Sequence, residues 1–293
     1  MSVLKKAYAT PSRVRAVYRF LLHSDKSKIK REDLEKSISP LSIQRENDKD
    51  YLDMVKETIK EMIRMKLIDE DAEGNVFLGK DLPKEIKDKN IGNENLPFYI
   101  SKLFFTKEND ENHDFVRLAT WYLSQNFQHA PSNWEEFSKQ LDEQIGSHKL
   151  ECGNNTRYGQ LEDWLLFCRF AIKYSVKGVG TRMVPDPTLY IQWLLPQLFH
   201  DEKTLTIVTL IDRLSNIAPI FDHGTFRKEL FHKYKVGKLT ENYISTVTSN
   251  ALLRLHEVGL IKLERKADAD TMIIYDGSSE MRYTHVSYQD GRE

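Results

Sequence analysis

The strongest constraint on the fold is a pattern that occurs near both ends of the chain. In each copy, an amphipathic helix is followed by Leu-Ile, a charged or polar turn and a short apolar strand. When Leu67-Ile68 is aligned with Leu260-Ile261, Ile59 falls on Leu252. Helices that run into a short hairpin are typical of a winged helix-turn-helix domain. The sequence therefore predicts one such domain at each end.

The C-terminal copy is the better defined of the two. Its predicted helices cover 207–214, 226–234 and 241–258, and its predicted strands are 260–263 and 272–275, paired around a polar tip at 266–271. The N-terminal copy begins with Thr10-Pro11, which favours a helix start.

The region between the two copies is predicted to be helical. Apolar stripes predict helices over 115–127, 134–145 and 161–172, and a fourth from Asp186-Pro187 to Pro196. Gly178-Val179-Gly180 is interpreted as a helix stop. With 13 glycines and 9 prolines in 293 residues, both below the usual 7% and 5% or so, the expected class is mainly α with small β-hairpins.

The predicted domain boundaries follow from these elements. We expect an N-terminal winged helix at 1–82, a polar linker at 83–96, a helical middle domain at 97–200, a C-terminal winged helix at 201–276 and a tail at 277–293.

Charge is segregated along a chain that is almost neutral overall, with 43 basic and 44 acidic residues. Residues 1–31 carry nine basic residues and one acidic residue, and residues 224–266 carry nine basic and four acidic residues. Basic segments of this kind are typical of proteins that bind a polyanion, although the solvated charged faces of an ordinary protein give the same pattern.

The C-terminal third helix is the candidate for reading DNA. In this fold the third helix usually enters the major groove while the hairpin contacts the backbone. Helical spacing places Thr246, Ser249 and Asn250 on its outward face, where they could bond base edges. The candidate phosphate contacts are basic residues before it, at its edge and in the hairpin: Lys233, Lys235, Lys238, Arg254, Lys262, Arg265 and Lys266.

Acidic and apolar residues on the same surfaces favour the alternative of a protein-binding winged helix. Leu253 and Glu257 share the outward face, and Asp268 and Asp270 stand at the hairpin tip.

The N-terminal third helix is a poor base reader because Asp53 and Glu57 occupy its entering end and would repel phosphates. In the first helix, Arg15 and Arg19 stand four residues apart, a spacing that would allow both to contact phosphates without reading the DNA sequence. The alternative is that they form a basic face exposed to solvent.

Catalytic motifs are missing from the sequence. It has no HExxH, P-loop, GxSxG or paired-cysteine zinc spacing, so we expect a non-enzyme with no catalytic residue, metal or cofactor. Two cysteines, Cys152 and Cys168, favour a reducing compartment. No apolar stretch resembles a signal peptide or a membrane span, and we therefore expect a cytoplasmic protein without membrane contact.

Short motifs across most of the chain resemble the DpdG proteins, accessory proteins of bacterial DNA-modification and phage-defence gene clusters that insert and police 7-deazaguanine derivatives in DNA. They are Thr10-Pro11-Ser12-Arg13 at the first helix, the stretch 183–188 (MVPDPT) after an aromatic helix, and the closing winged helix. The resemblance implies a non-catalytic, DNA-associated subunit that works with ATPase, helicase or nuclease partners, and it supplies no catalytic residues.

The sequence therefore predicts a DNA-binding or adaptor subunit that contacts double-stranded DNA through its C-terminal winged helix. Two alternatives remain open. One is a scaffold whose winged helices bind only protein, and the other is a transcription regulator whose middle region dimerises or senses a ligand.

Overall fold

The structure is a computed structural model that describes residues 3–4, 8–40, 51–106, 113–146, 149–150, 152–178, 180–200, 202–237, 242–267 and 269–289. Within these residues the chain forms twelve helices and ten short strands, and the sheets are small and antiparallel. The predicted class, mainly α with small hairpins, is confirmed. The chain divides into two compact units, Met1–Asn112 and His113–Glu293.

Unit 1 contains five helices and one three-stranded sheet among its described residues. Its elements are α1 (Pro11–His23), β1 (Ile29–Lys30), α2 (Arg31–Ile38), α3 (Tyr51–Arg64), β2 (Ile68–Glu70), β3 (Asn75–Leu78), α4 (Lys84–Lys87) and α5 (Gly92–Phe104). The strand order is β1-β3-β2, so the strand between the first two helices pairs with the last strand.

Apolar stripes on α1 and α3 form part of the core of unit 1. Val14, Val17 and Tyr18 of α1 are fully buried, as are Ile59 and Met62 of α3. Their spacing of three and four residues places them on one face of each helix, and these faces pack together.

The segment predicted as a polar linker, 83–96, forms α4 and the beginning of α5 instead. Ile86 of α4 is buried, and the Tyr18 hydroxyl donates a hydrogen bond to its carbonyl oxygen. Helix α4 has one buried apolar residue among charged residues, and such a short pattern does not indicate a helix in the sequence.

Unit 2 contains seven helices and seven strands among its described residues. Its elements are α6 (His113–Leu123), α7 (Trp134–Gln144), α8 (Asn155–Phe167), β4 (Ala171–Val176), β5 (Gly180–Pro185), α9 (Thr188–Phe199), β6 (Thr204–Thr206), α10 (Ile207–Ile217), α11 (Thr225–Tyr234), α12 (Thr246–Glu257), β7 (Ile261–Glu264), β8 (Met272–Tyr275), β9 (Glu280–Tyr283) and β10 (His285–Tyr288).

The order of elements in unit 1 recurs in unit 2, but it starts earlier than the sequence predicted. The series α9, β6, α10, α12, β7 and β10 repeats α1, β1, α2, α3, β2 and β3, and the sheet order β6-β10-β7 repeats β1-β3-β2. The helix predicted as the first of the C-terminal copy, α10, is therefore the second. Helix α11 and the ribbon β8-β9 are additions to the shared series.

The predicted pairing of strands 260–263 and 272–275 is wrong. Strand β7 pairs with β10, in the segment predicted as a tail, and β8 pairs with β9. Val286 of β10 is fully buried and lies opposite Leu263 on one side and Leu205 on the other.

The prediction of a helix over 161–172 is wrong at its C-terminal end. Helix α8 ends at Phe167, and Ala171 and Ile172 belong to β4, which pairs with β5 in a two-stranded ribbon. The turn uses Gly178 and Gly180, both with positive φ (82° and 89°). Two of the residues interpreted as a helix stop, Gly178 and Gly180, therefore lie at a hairpin turn, where glycine accepts a backbone conformation that other residues resist.

Candidate nucleic-acid interface

An exposed basic surface of unit 2 lies on and beside α11. We call it the α11 surface and define it by Lys149, Lys228, Phe231, His232, Lys233, Tyr234 and Lys235. Its four lysines are exposed and make no ion pair with any described residue. Unpaired lysines of this kind are free to neutralise an anionic partner.

Aromatic rings lie under three of these lysines. The Nζ atoms of Lys149 and Lys233 lie 5.6 Å and 5.3 Å from the centroid of the Tyr234 ring. The Nζ of Lys235 lies 5.4 Å from the Phe231 ring centroid. Distances below about 6 Å allow a cation–π attraction, which restricts where the ammonium groups can lie while leaving them exposed.

The end of α11 is shaped by a left-handed residue. Lys235 has φ 60° and ψ 26°, and its backbone N–H donates to the Phe231 carbonyl oxygen at 2.8 Å. This C-terminal cap turns the chain and directs Lys235 back over the last turn of the helix.

Helix α11 also carries a buried arginine, Arg227. Burial lowers the pKa of its guanidinium while the nearby Asp222 carboxylate opposes that effect. Asp222 Oδ1 also accepts a hydrogen bond of 2.6 Å from the backbone N–H of Ser245, the N-cap of α12. One carboxylate therefore bonds the start of α12 and lies near the buried arginine of α11.

The predicted outward face of α12 is wrong for two of its three residues. Thr246 is 8% exposed and Ser249 is 0% exposed. The Thr246 hydroxyl accepts a hydrogen bond from the Phe127 backbone N–H at 3.3 Å, and Ser249 donates to the Ile244 carbonyl oxygen at 3.3 Å. The loop after α6 covers this end of α12, and the position of that loop could not be deduced from helical spacing alone.

Asn250 and Arg254, further along α12, are accessible to different extents. Asn250 is half-buried, and Arg254 is exposed and forms an ion pair with Asp186. Asp186 is buried and stands just before α9. The pair therefore links α12 to α9 and offsets the charge of Arg254.

The basic residues around β7 are partly neutralised by their own neighbour. The Nζ atoms of Lys262 and Lys266 lie 2.9 Å and 3.7 Å from the Glu264 carboxylate. The hydrogen bond from Lys262 lowers the pKa of that carboxyl, so it stays ionised at neutral pH. Arg265 is exposed and makes no ion pair with described residues.

The remaining predicted contacts are scattered. Arg19 of α1 is exposed, whereas Arg15 is half-buried and donates from Nε to Asn93 Oδ1 at 2.8 Å. Both belong to unit 1. Lys238 lies outside the described residues.

The structure brings Lys233 and Lys235 together with residues that the sequence analysis did not select. Lys228, His232 and Lys235 are spaced by four and three residues, which is an exposed helical stripe that the sequence could have shown. Lys149 is 85 residues from Tyr234 in the chain, and no sequence signal joins them.

A comparison with known protein families matches the DpdG-like family over residues 1–269 of the chain. The chain belongs to the DpdG-like family. This membership associates it with DNA-modification and defence gene clusters. No curated protein and no solved structure matches the chain. In the described part of this DpdG-like protein, no helix is both long and apolar enough to cross a membrane.

Proposed function

We propose that this DpdG-like protein is a non-catalytic, DNA-binding adaptor subunit of a DNA-modification or phage-defence assembly. It binds the phosphate backbone of double-stranded DNA through the α11 surface. The observation that carries the proposal is the group of four exposed, unpaired lysines on that surface, three of which lie over aromatic rings.

The shared series of elements supports the interpretation of both copies as winged helices. The elements that the two copies share follow the order helix, strand, helix, helix, strand, strand, with the first strand paired to the last. In unit 2 the start of the third helix is covered, so base reading by Thr246 and Ser249 is not part of the proposal. Contact through lysines predicts binding that depends strongly on salt and weakly on sequence.

The state of the cysteines supports a non-catalytic role. Both thiols are buried. Burial raises the pKa of Cys152 to about 12 and that of Cys168 well above its ordinary value. Because the thiolate is the reactive form, neither residue is suited to act as a nucleophile near neutral pH.

The test is fluorescence anisotropy with a short labelled duplex at low salt. We expect Lys228→Glu/Lys233→Glu/Lys235→Glu to weaken binding by about tenfold or more, because three favourable interactions with phosphates become repulsive. The matched control is Lys177→Glu/Lys203→Glu/Arg282→Glu. It changes the net charge equally at exposed positions of unit 2 that are not part of the α11 surface.

Three outcomes are informative. Weaker binding in the α11 variant alone supports the proposal. Equal weakening in both variants means that net charge, not this surface, governs binding. A wild-type protein that does not bind DNA at low salt contradicts the proposal and favours a scaffold whose winged helices bind protein.

A further inference from the structure

Unit 2 contains a cleft of about 720 Å³ that is separate from the α11 surface. The ribbon β4-β5 forms one wall, α7 another, and the accessible part of α12 a third. The volume lies in the range of pockets that bind small organic ligands, about 300–1,000 Å³.

The ribbon presents an apolar and aromatic platform to this cleft. Ile172 and Tyr174 are adjacent same-face residues of β4, opposite Val184 and Arg182 of β5, and all four line the cleft. Ile172 is 37% exposed and Tyr174 is 45% exposed. Exposed side chains of this size on one strand face form a surface on which a flat ligand can stack.

Polar groups without partners converge on the same space. The Asn250 amide and the Arg182 guanidinium line the cleft, and neither makes a hydrogen bond or ion pair with any described residue. An amide offers two donors and one acceptor oxygen, and a guanidinium offers five donors. They could bond the edge of a planar heterocycle.

The charges that line the cleft are balanced. Arg254 pairs with Asp186. Arg182 acts on Glu136, whose pKa is lowered chiefly by the hydrogen bond from the Ser132 backbone N–H and, less, by Arg182. Two cations and two carboxylates favour a neutral ligand rich in donors and acceptors over a polyanion.

We propose that this cleft binds a nucleobase, which stacks on Tyr174 and is bonded along its edge by Asn250 and Arg182. The base could belong to a free nucleoside or to an unstacked nucleotide of a nucleic-acid strand. Both present the same planar ring with donors and acceptors. The site shares no residue with the α11 surface.

The first arm of the test is isothermal titration calorimetry of the full chain with the four ordinary 2′-deoxynucleosides. We expect binding of at least one of them, weakened about fivefold or more by Tyr174→Ala because the variant removes base–aromatic stacking. Tyr174→Phe keeps the ring and should restore binding. Arg182→Ala should also weaken binding, whereas Arg282→Ala, an exposed strand arginine outside the cleft, should not.

The second arm compares two duplexes that differ at one bulged position, which carries a base in one and an abasic site in the other. Their phosphates are the same, so the ratio of the two affinities reports the base alone. If the duplex with the bulged base binds more tightly than the abasic duplex, and Tyr174→Ala removes this difference, the base comes from a strand. Nucleoside binding with a ratio of one identifies a free nucleoside.

The proposal is overturned if no nucleoside binds and the ratio is one, or if Tyr174→Ala and Arg182→Ala bind as the wild type does. The nucleoside arm uses no DNA strand. It therefore tests the cleft even if the α11 surface does not bind DNA.

Discussion

The Asp222 carboxylate accepts a hydrogen bond of 2.6 Å from the backbone N–H of Ser245, and it is also the carboxylate that acts on the buried Arg227. Asp222 precedes α11, whereas Ser245 caps α12 through the bond from Thr248 N–H to its hydroxyl oxygen. This buried acid thus bonds the start of the third helix and supplies a nearby negative charge to the buried arginine of α11.

Replacement of this acid should destabilise unit 2 strongly. Asp222→Ala leaves Arg227 buried without a countercharge and the Ser245 N–H without its acceptor, and we expect the free energy of unfolding to fall by about 3 kcal/mol or more. Asp212→Ala, which removes an exposed acid of the same unit, should lower it by less than about 1 kcal/mol. Chemical denaturation measures both, and equal decreases would contradict the role given to Asp222.

Gly237 should resist substitution for a reason beyond its backbone conformation. It has φ 80°, and a Cβ there would lie 2.6 Å from Nη2 of Arg227. Gly259 has φ 75° and open space around the same position. Both Gly→Ala variants should be destabilised by about 1–2 kcal/mol from left-handed strain, and Gly237→Ala should be destabilised more because Arg227 must move.

Thermal unfolding of the two glycine variants measures this difference. If Gly237→Ala and Gly259→Ala have the same Tm, the packing against Arg227 does not constrain the loop after α11.

The helices were largely predictable from the sequence, and the strand pairing was not. Apolar residues at helical spacing, such as the buried Val14, Val17 and Tyr18, lie close together in the chain, and their pattern therefore predicts a helix directly. Strand β10 pairs with β7, with the buried Val286 opposite Leu263, although β8 also has buried apolar residues, Met272 and Ile274. That pairing joins segments that are separated in the chain, and neither segment alone indicates which strand is its partner.

The candidate site was predictable only in part for the same reason. Lys233 and Lys235 were found from the run of basic residues, but the position of Lys149 over Tyr234 depends on tertiary packing. The burial of Ser249 could not be deduced because a hydroxyl side chain suits either an exposed or a covered helix face.

Acid should remove a stabilising contribution from unit 1. Hydrogen bonds from Lys28 and then Asn75 lower the pKa of Asp71 well below its ordinary value of 3.8. A carboxyl whose pKa is lower in the folded state stabilises the fold above its unfolded pKa, and this stabilisation disappears as pH falls through and below that value. Unfolding at pH 6 and pH 2.5 should show a smaller acid destabilisation for Asp71→Asn than for the wild type.

The control for that experiment is Asp25→Asn, an exposed acid of unit 1 with no hydrogen bond to described residues. It should keep the acid destabilisation of the wild type. An Asp71→Asn protein with the full acid destabilisation would show that the bonds to Lys28 and Asn75 do not matter for stability.

The two cysteines should be unreactive in the folded protein. Burial holds both thiols in the neutral form, with the pKa of Cys152 raised to about 12. A thiol reagent at pH 8 should label neither residue within minutes, and both after denaturation. Rapid labelling of either residue in the native protein would contradict the burial of that thiol and reopen a nucleophilic role.

The central claim, that α11 binds DNA phosphates, is tested most directly by the salt dependence of duplex binding. The magnitude of the slope of log binding constant against log salt falls by about 0.9 for each phosphate that the protein no longer neutralises. Lys228→Gln/Lys233→Gln/Lys235→Gln should therefore lower that magnitude by roughly 2.7 relative to the wild type. A slope that is unchanged in this variant would contradict the claim.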